Sequence, residues 1–390
     1  MKLAIYNIAV FLVTLTFANV QLDNPKLDRP KFDKSPWARI LVGHPGHIYI
    51  VDKVDGFPFL IDRTVGGIPS WMAIRPPNLL YAVDESSNKV KVYEIDLNNR
   101  KATLKAIKKG SSGVVHLQFD ANYTRLIGSA FGQGTIDVWN TTNGSLELIK
   151  TIASQVQPGS SKDRQATPHP HQANVDPTGR FFVINDLGTD SIMIIDSKYD
   201  NFKVTGTTQI SPSGCGPRHG VFYPHKAARA THYIVVCEIS NQALVYTVSY
   251  STNCLDLKQI QRISTFGPAS PPANATSAAA GAIVLAANNR DLYISNRQTG
   301  NLTDSISHFQ IKSPNSTYLS LDFTSSASTH GLSPRVISLD KGGQYLLVAN
   351  QGGGFGLVAL EIQANGMLSR DPFSALGTPE FSPQFIQAIP

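Results

Sequence analysis

The sequence predicts an all-β protein, a seven-bladed β-propeller with four-stranded blades around a central channel. Short β-rich runs recur along the chain, turn-forming residues separate them, and no long segment has helical periodicity. The runs recur every 30 to 60 residues or so, roughly the size of a blade with loops of variable length. Two separate β domains are the alternative, but a sandwich would not need seven similar units. The seven runs begin at Ile48, Leu80, Leu126, Phe182, Ile234, Leu292 and Leu346.

A second β-rich run follows several of these runs about ten residues later, as expected for consecutive strands of one blade. These second runs begin at Lys89, Thr135, Ser191 and Ser307. Residues 384–389 form a further apolar run at the end of the chain. Because propellers close when one terminus completes a blade built from the other, we expect this last run to be a closing strand.

The N-terminal residues 1–20 are typical of a secretory signal peptide, with Lys2 before an apolar run and a small residue at Ala18. A membrane anchor is the alternative, but the apolar run is shorter than the roughly 20 residues that a bilayer requires. We expect an extended segment over residues 21–39 and the propeller domain over residues 40–390. The predicted location is therefore extracellular, free or associated with a cell wall, without a membrane span.

Six Asn-x-Ser/Thr sequons support export through a eukaryotic secretory route. A glycan cannot enter a protein core, so each sequon is expected on the surface. The candidate glycosylated residues are Asn122, Asn140, Asn143, Asn274, Asn301 and Asn315.

The three cysteines, Cys215, Cys237 and Cys254, lie within one short stretch. One disulfide in an exported protein would leave one thiol free, and the sequence does not say which pair forms. Three reduced, buried cysteines are the alternative. The net charge of +6 has no long block of like charge, which argues against a nucleic-acid partner and suits an anionic small molecule.

Polar residues that the fold itself does not require mark the candidate site. His169 and His171 are two residues apart and would share one face of a strand, a spacing that suits metal ligation or one base with a packing partner. Asn185 and Asp186 end the following β-rich run. A histidine pair at this spacing is by itself weak evidence for a metal site.

Two arginines and a glutamate stand beside further β-rich runs. Arg218 and His219 follow glycines that let a ligand approach the backbone, and in a regular strand they would face opposite sides. Glu238 ends an apolar strand, where an unpaired carboxylate is costly, and Arg297 follows another buried strand. Arginine can bind a carboxylate or phosphate through two hydrogen bonds. Each of these residues could also have a purely structural role.

These blocks, followed by Gly331-Leu-Ser-Pro-Arg335, resemble the lactonase family of seven-bladed propellers, which includes 6-phosphogluconolactonases and carboxy-cis,cis-muconate cyclases. The signal sequence and sequons suit a secreted, fungal-type member. For cyclase-like members, the resemblance implies a catalytic set comprising His171, Arg218, Glu238 and Arg297. It places supporting or substrate-binding roles on His169, His219, Asn185, Asp186 and Arg335. It also implies that the site uses no metal and no cofactor.

The resemblance implies a carboxymuconate cyclase as the first functional expectation, with a carboxylate adding across a double bond. Two arginines would hold the substrate carboxylates, and His171 or Glu238 would donate a proton. Lactone hydrolysis is the alternative, in which His171 or Glu238 would activate water. A third alternative is a surface glycoprotein without catalysis, acting as an adhesin or antigen.

Overall fold

A computed structural model describes residues 39–52, 58–63, 67–154, 156–161, 163–268, 270–315, 318–377 and 381–389. The expected signal peptide and nearly all of the expected extended segment lie outside the described residues. Within the described part of the chain, no helix has the length and apolarity that a membrane crossing requires.

The strands form seven four-stranded antiparallel sheets, numbered here as blades 1 to 7. Blade 1 contains β1 (Arg39–His44), β2 (His47–Asp52), β3 (Pro58–Arg63) and β28 (Phe385–Ile389). Blade 2 contains β4 (Met72–Arg75), β5 (Leu79–Asp84), β6 (Lys89–Asp96) and β7 (Lys101–Lys109). Blade 3 contains β8 (Val114–Phe119), β9 (Arg125–Ala130), β10 (Thr135–Asn140) and β11 (Glu147–Ala153). Blade 4 contains β12 (Pro170–Val175), β13 (Phe181–Asp186), β14 (Ser191–Asp196) and β15 (Lys203–Gln209).

Blades 5 to 7 follow the same order. Blade 5 contains β16 (Pro217–Tyr223), β17 (His232–Cys237), β18 (Gln242–Tyr250) and β19 (Leu255–Ser264). Blade 6 contains β20 (Ala279–Leu285), β21 (Asp291–Arg297), β22 (Ser305–Asn315) and β23 (Tyr318–Ser328). Blade 7 contains β24 (Gly331–Leu339), β25 (Tyr345–Gly354), β26 (Leu357–Glu361) and β27 (Ser374–Leu376). Two short 3₁₀ turns span Thr142–Gly144 and Lys198–Asp200.

The predicted fold class is confirmed, and the repeat has a structural explanation. Six of the seven β-rich runs are the second strand of their blade, where both faces are covered by neighbouring blades, and the run at Ile48 is β2, the third strand of blade 1. All six residues of β13 and all six of β17 are buried. A strand buried on both faces reads as a continuous apolar run, which is why these segments stand out in the sequence.

The C-terminal strand closes the ring, as expected for residues 384–389. β28 pairs antiparallel with β1, with Val42 opposite Ile386 and Gly43 opposite Phe385, so the two ends of the described chain share blade 1. Phe385 and Ile386 are buried against residues of blades 1 and 7. Burial of one large apolar side chain is worth about 1.5 to 3 kcal/mol, so this strand contributes substantially to closure.

The innermost strands line the channel and place the polar residues found in the sequence. These strands are β28, β4, β8, β12, β16, β20 and β24, and neighbours contact one another around the ring. In each antiparallel hairpin, the start of the innermost strand lies opposite the end of the second strand. Pro170 pairs with Asp186, Pro217 with Cys237, and Ala279 with Arg297. We call the side of the ring where these ends meet the site face.

Candidate active site

Bulges at the site face direct several predicted residues away from the regular strand pairing. In blade 4, His171 is the extra residue between Pro170 and Gln172. In blade 5, Arg218 and His219 stand between Pro217 and Gly220, and blade 7 has Arg335 in the same kind of bulge. A bulge bends the strand and re-aims the side chain of the extra residue.

The expectation that Arg218 and His219 face opposite sides is wrong. Their side chains lie together, with Nη1 of Arg218 3.3 Å from Nε2 of His219. The strict alternation of a regular strand does not hold across the bulge.

Glu238 lies at the centre of an arginine cluster that joins blades 5 and 6. Its Oε2 is 2.8 Å from Nε of Arg218 and 2.7 Å from Nη2 of Arg297. Its Oε1 accepts a hydrogen bond from Nη2 of Arg164, a residue of the loop between blades 3 and 4. Both carboxylate oxygens are therefore occupied by guanidinium groups. The structure brings together three of the four predicted catalytic residues in direct contact.

The buried arginines are also held by backbone carbonyl groups. Nη1 of Arg218 donates to the carbonyl of Gly281 at 2.9 Å, and Nη2 of Arg297 lies 3.4 Å from the carbonyl of Ala280. A side chain at position 281 would meet Ser295 Oγ at 2.5 Å, so glycine lets the backbone pass close to the cluster. Arg218 is 2% exposed and Arg297 8% exposed, so the ion pairs are shielded from water.

A disulfide holds the two strands that carry Glu238 and Arg218. Cys215 and Cys237 form it, which decides the pairing that the sequence left open, and Cys254 is free. The backbone N–H of Glu238 donates to the carbonyl of Gly216 at 2.8 Å. Asp190 accepts the N–H of Gly216, whose φ of +64° is in the left-handed region that favours glycine.

The arginines keep Glu238 ionised. Burial alone would raise the pKa of this carboxyl group, but Arg297, Arg218 and Arg164 outweigh burial and lower the pKa to about 2. Burial and the charge of Arg297 lower the pKa of Arg218 from its ordinary value, while Glu238 opposes this change. Arginine stays protonated in proteins, so Arg218 and Glu238 are both charged. With its pKa at about 2, the Glu238 carboxyl group is ionised near neutral pH, and the expectation that His171 or Glu238 donates a proton stays a prediction.

Neutral histidines pack beside the arginine cluster. The rings of His171 and His219 are 5.1 Å apart in an edge-to-face arrangement, and His219 lies 5.5 Å from Trp71. Burial, followed by the charge of Arg218, lowers the pKa of His171 well below its ordinary value. The same two causes act on His219, and they lower the pKa of His116 to about 3. Nδ1 of His171 has no hydrogen-bond partner among the described residues.

The remaining predicted residues of blade 4 support the site through hydrogen bonds. Asp186 Oδ1 accepts the backbone N–H of His169 at 2.8 Å, and the His169 ring stacks on Phe131 with centroids 4.2 Å apart. Asn185 Nδ2 lies 3.3 Å from the carbonyl of Arg218 and Asn185 Oδ1 accepts the hydroxyl of Tyr233. These contacts fix the backbone around His171 and Arg218.

Arg335 occupies a separate ion pair on the same face. Its Nη2 donates to Glu85 Oε2 at 2.6 Å, and its Nη1 lies 3.3 Å from Gln384 Oε1. Its charge is among those that lower the pKa of His171. Together, the ion pairs at Glu238 and Glu85 contain four arginines and two glutamates, so they carry a net positive charge.

Sequence reasoning missed Arg164, Glu85, His116 and Trp71. Arg164 and Glu85 are in loops, where no periodicity marks them. His116 lies in β8 and Trp71 immediately precedes β4, and in the sequence both resemble ordinary core residues. In blade 3, a bulge between Val114 and His116 places His116 much as the bulge of blade 4 places His171. This similarity can be recognised only once the strand register is known.

A cavity of about 560 Å³ lies on the other side of the layer formed by Trp71 and His116. Its walls come from the later parts of innermost strands, including Phe119, Val175 and Val284. It is apart from the glutamate–arginine cluster, and we do not assign the candidate site to it.

The positions of the sequon residues fit surface modification at most sites. Asn122, Asn143, Asn274 and Asn301 are exposed, whereas Asn140 is half-buried and its Oδ1 accepts a hydrogen bond from Arg125. The side chain of Asn315 lies outside the described residues. Glycosylation at the six sites stays a prediction.

Metal ligation by the two nearby histidines has no structural support. Over the described ranges, no three histidine, cysteine, aspartate or glutamate side chains converge as metal ligands. His169 instead uses Nδ1 to contact the carbonyl of Phe131 at 2.7 Å.

Comparisons with known proteins agree with this architecture. A "probable 6-phosphogluconolactonase" of Arthroderma benhamiae is 34% identical over 253 residues, which are 63% of this chain and 61% of that relative. The 6-phosphogluconolactonase of Bacillus subtilis is 26% identical over 73% of this chain and 78% of its own length. The periplasmic gluconolactonase of Pseudomonas aeruginosa has the same fold, with a TM-score of 0.74 and 20% identity over 89% of this chain and 98% of its own.

The model of the family described as "Lactonase, 7-bladed beta-propeller" matches residues 60–373. That match includes all nine predicted site residues. The chain belongs to the lactonase family of seven-bladed β-propellers.

Proposed function

We propose that this protein hydrolyses sugar lactones of the gluconolactone class. The observation that carries the proposal is the buried carboxylate of Glu238, held by Arg164, Arg218 and Arg297 beside the neutral ring of His171. The names of the relatives from Arthroderma benhamiae, Bacillus subtilis and Pseudomonas aeruginosa support a lactone as substrate.

In this proposal, His171 is the general base. A neutral imidazole accepts a proton from water as the water oxygen bonds to the lactone carbonyl carbon. Arg218 and Arg297 stabilise the oxyanion that develops on the carbonyl oxygen. The bond between that carbon and the ring oxygen then breaks, and the ring oxygen takes the proton from the imidazolium. One lactone and one water give one hydroxy acid.

Glu238 is a positioning residue in this scheme. Its carboxylate holds Arg218 and Arg297 within 3 Å of one oxygen, where their mutual repulsion is offset. Burial, and after it the charge of nearby arginines, lowers the pKa of His171, so an oxyanion or an anionic substituent nearby would raise this pKa again and strengthen the base.

The protonation states favour hydrolysis over the muconate cyclisation expected first. Cyclisation needs a donor that delivers a proton to carbon. Glu238 has a pKa of about 2 and His171 a pKa well below its ordinary value, so neither group holds a proton to donate near neutral pH. Hydrolysis starts with proton removal, which a neutral His171 can perform.

We also propose an extracellular location. The N-terminal apolar run, the sequons and the Cys215–Cys237 disulfide support it, because disulfides persist in oxidising compartments. The substrate would then be a small molecule present outside the cell. Association with a cell wall is part of the same proposal and rests on no contact in the structure.

The test is an assay of the purified protein with glucono-δ-lactone, 6-phosphoglucono-δ-lactone and 3-carboxy-cis,cis-muconate. Lactone opening is followed by acid release, corrected for spontaneous hydrolysis, and cyclisation by loss of muconate absorbance. We expect acid release from at least one lactone and no cyclisation. Cyclisation alone would favour the cyclase, and no turnover of any substrate would favour the noncatalytic adhesin or antigen.

A further inference from the structure

The third arginine of the cluster differs from the other two in burial and in anchoring. The side chain of Arg164 is 46% exposed, whereas those of Arg218 and Arg297 are 2% and 9% exposed. Arg218 and Arg297 also contact backbone carbonyls, but Arg164 has no second side-chain acceptor within the described residues. Arg164 is therefore the one arginine of this cluster that can leave Glu238 without losing other contacts.

The backbone beside Arg164 is fixed, so its side chain is presented at a defined place. Gln165 is 1% exposed. Its Nε2 donates to the carbonyl of Leu187 at 2.8 Å and to Asp190 Oδ1 at 2.7 Å. Asp190 in turn accepts the N–H of Gly216, next to the disulfide. Hydrogen bonds thus hold the loop to blade 4 and to the start of blade 5, and the guanidinium group of Arg164 forms its ion pair with Glu238 from this loop.

We propose that Arg164 is a specificity-determining residue that exchanges its ion pair with Glu238 for one with an anionic group of the substrate. The inference rests on the proposed lactonase function. Arg218 and Arg297 remain on Glu238 Oε2, so the exchange does not dismantle the buried cluster. Guanidinium can bind either a carboxylate or a phosphate group through paired N–H donors, and the Arg164 side chain is 46% exposed to solvent.

The exchange has a second consequence at Glu238. When Arg164 leaves, Oε1 loses its hydrogen-bond donor and can accept one from the attacking water or from a substrate hydroxyl. A neutral lactone cannot draw Arg164 away. An anionic lactone is therefore favoured in binding and also frees an acceptor in the site.

The experiment compares Arg164→Ala, Arg164→Lys and the wild-type protein on 6-phosphoglucono-δ-lactone and on glucono-δ-lactone. Arg370→Ala is the matched control, because it removes an exposed arginine from blade 7. For Arg164→Ala, we expect KM for the phosphorylated lactone to rise about tenfold or more. KM for the neutral lactone should rise several-fold less than KM for the phosphorylated lactone, so the ratio of the two KM values reports the lost anion contact. Arg164→Lys should restore part of the loss, since the charge remains but the paired donors do not.

An equal loss with both lactones would overturn the proposal, because it would indicate a structural role. Unchanged kinetics with the phosphorylated lactone would overturn it as well. Calorimetric binding of 6-phosphogluconate to wild type and Arg164→Ala separates this inference from the proposed reaction. About tenfold weaker binding to the variant would support the anion-binding role even in a protein without turnover, and equal or undetectable binding to both would contradict it.

Discussion

At the scale of single residues, the candidate site depends on compensation of buried charge. Arg218 and Arg297 approach each other because Glu238 stands between them, with both arginines touching the same oxygen. A buried ion pair contributes little net stability, but removing one partner leaves uncompensated charge and is costly. In the proposed function, the cluster positions the hydrogen-bond donors of Arg218 and Arg297.

Glu238→Gln tests this positioning role. The amide keeps the shape but loses the negative charge, so the two buried arginines repel and their donors shift. We expect kcat/KM for lactone hydrolysis to fall at least about a hundredfold, with a loss of stability of about 3 kcal/mol. Glu94→Gln is the control, because Glu94 forms an exposed pair with Lys105 whose loss should cost less than about 1 kcal/mol. Equal activity of both variants would contradict the role of Glu238.

The sequence allowed His171, Arg218, Glu238 and Arg297 to be named together only through a family resemblance. Their residue types suit the chemistry, but each has an ordinary structural explanation. Arg164 could not be identified from the sequence, because it lies in a loop and contacts Glu238, which is far from it in sequence, only in the folded chain. The protonation state of Glu238 was equally hidden, since it depends on three arginines from separate parts of the chain.

At the scale of elements, hairpins and their bulges decide where side chains go. Blades 4, 5 and 7 each have a bulge at the site face. These bulges contain His171 in blade 4, Arg218 with His219 in blade 5, and Arg335 in blade 7. Strands could be located from apolar runs, but a bulge changes register by one or two residues without a marker in the sequence. That is why the facing of His219 was predicted incorrectly.

The disulfide is expected to stabilise the hairpin that carries Arg218 and Glu238. Cys215 and Cys237 are separated by 22 positions, and closing a loop of this size is worth about 3 kcal/mol in the chain-entropy model. The double variant Cys215→Ala, Cys237→Ala should lose about this free energy of unfolding in urea titration. It should also lose lactonase activity, since the strand ends would separate. Cys254→Ala, which removes the free thiol, should change unfolding by less than about 1 kcal/mol.

The closing strand provides a sharp comparison between adjacent positions. Ile386 is 1% exposed, whereas Gln387 is exposed beside it on β28. Ile386→Asp buries an unpaired carboxylate and should lower the free energy of unfolding by more than about 4 kcal/mol. Gln387→Asp should lower it by less than about 1 kcal/mol. Similar unfolding midpoints for both variants would show that β28 does not close the ring.

At the scale of the whole molecule, the seven-bladed ring was the most predictable feature. The seven second strands are buried on both faces, so the ring leaves a repeated apolar signal. The site lacks such a repeat, because each blade contributes a different polar residue. The sequence therefore predicts the scaffold from its own pattern and the site only by resemblance.

The buried neutral histidines should make the fold sensitive to acid. In the unfolded chain His116 takes up a proton below its ordinary pKa of 6.5, but in the fold its pKa is about 3. The pKa values of His171 and His219 are also lowered, so the unfolded state binds more protons throughout this window. The free energy of unfolding should therefore fall as the pH decreases from 7 to 5, by about 1.4 kcal/mol per pH unit for each fully titrating histidine.

Urea titrations at pH 7, 6 and 5 measure this slope. His116→Gln should reduce the slope by the contribution of one histidine, whatever its effect on stability at pH 7. Gln363→Asn is the control, because it changes an exposed side chain that does not titrate and should leave the slope unchanged. A free energy of unfolding that is constant between pH 7 and pH 5 would contradict the assignment of neutral, buried histidines.

In the proposed function, His171 and the Glu238 cluster form one hydrolytic site. The most direct measurement is kcat/KM for hydrolysis of glucono-δ-lactone and 6-phosphoglucono-δ-lactone by wild type and His171→Ala, corrected for spontaneous opening. Loss of a general base should lower kcat/KM about a hundredfold or more, while circular dichroism and the urea midpoint at pH 7 show that the variant is folded. A folded His171→Ala protein that opens both lactones at the wild-type rate would contradict the claim.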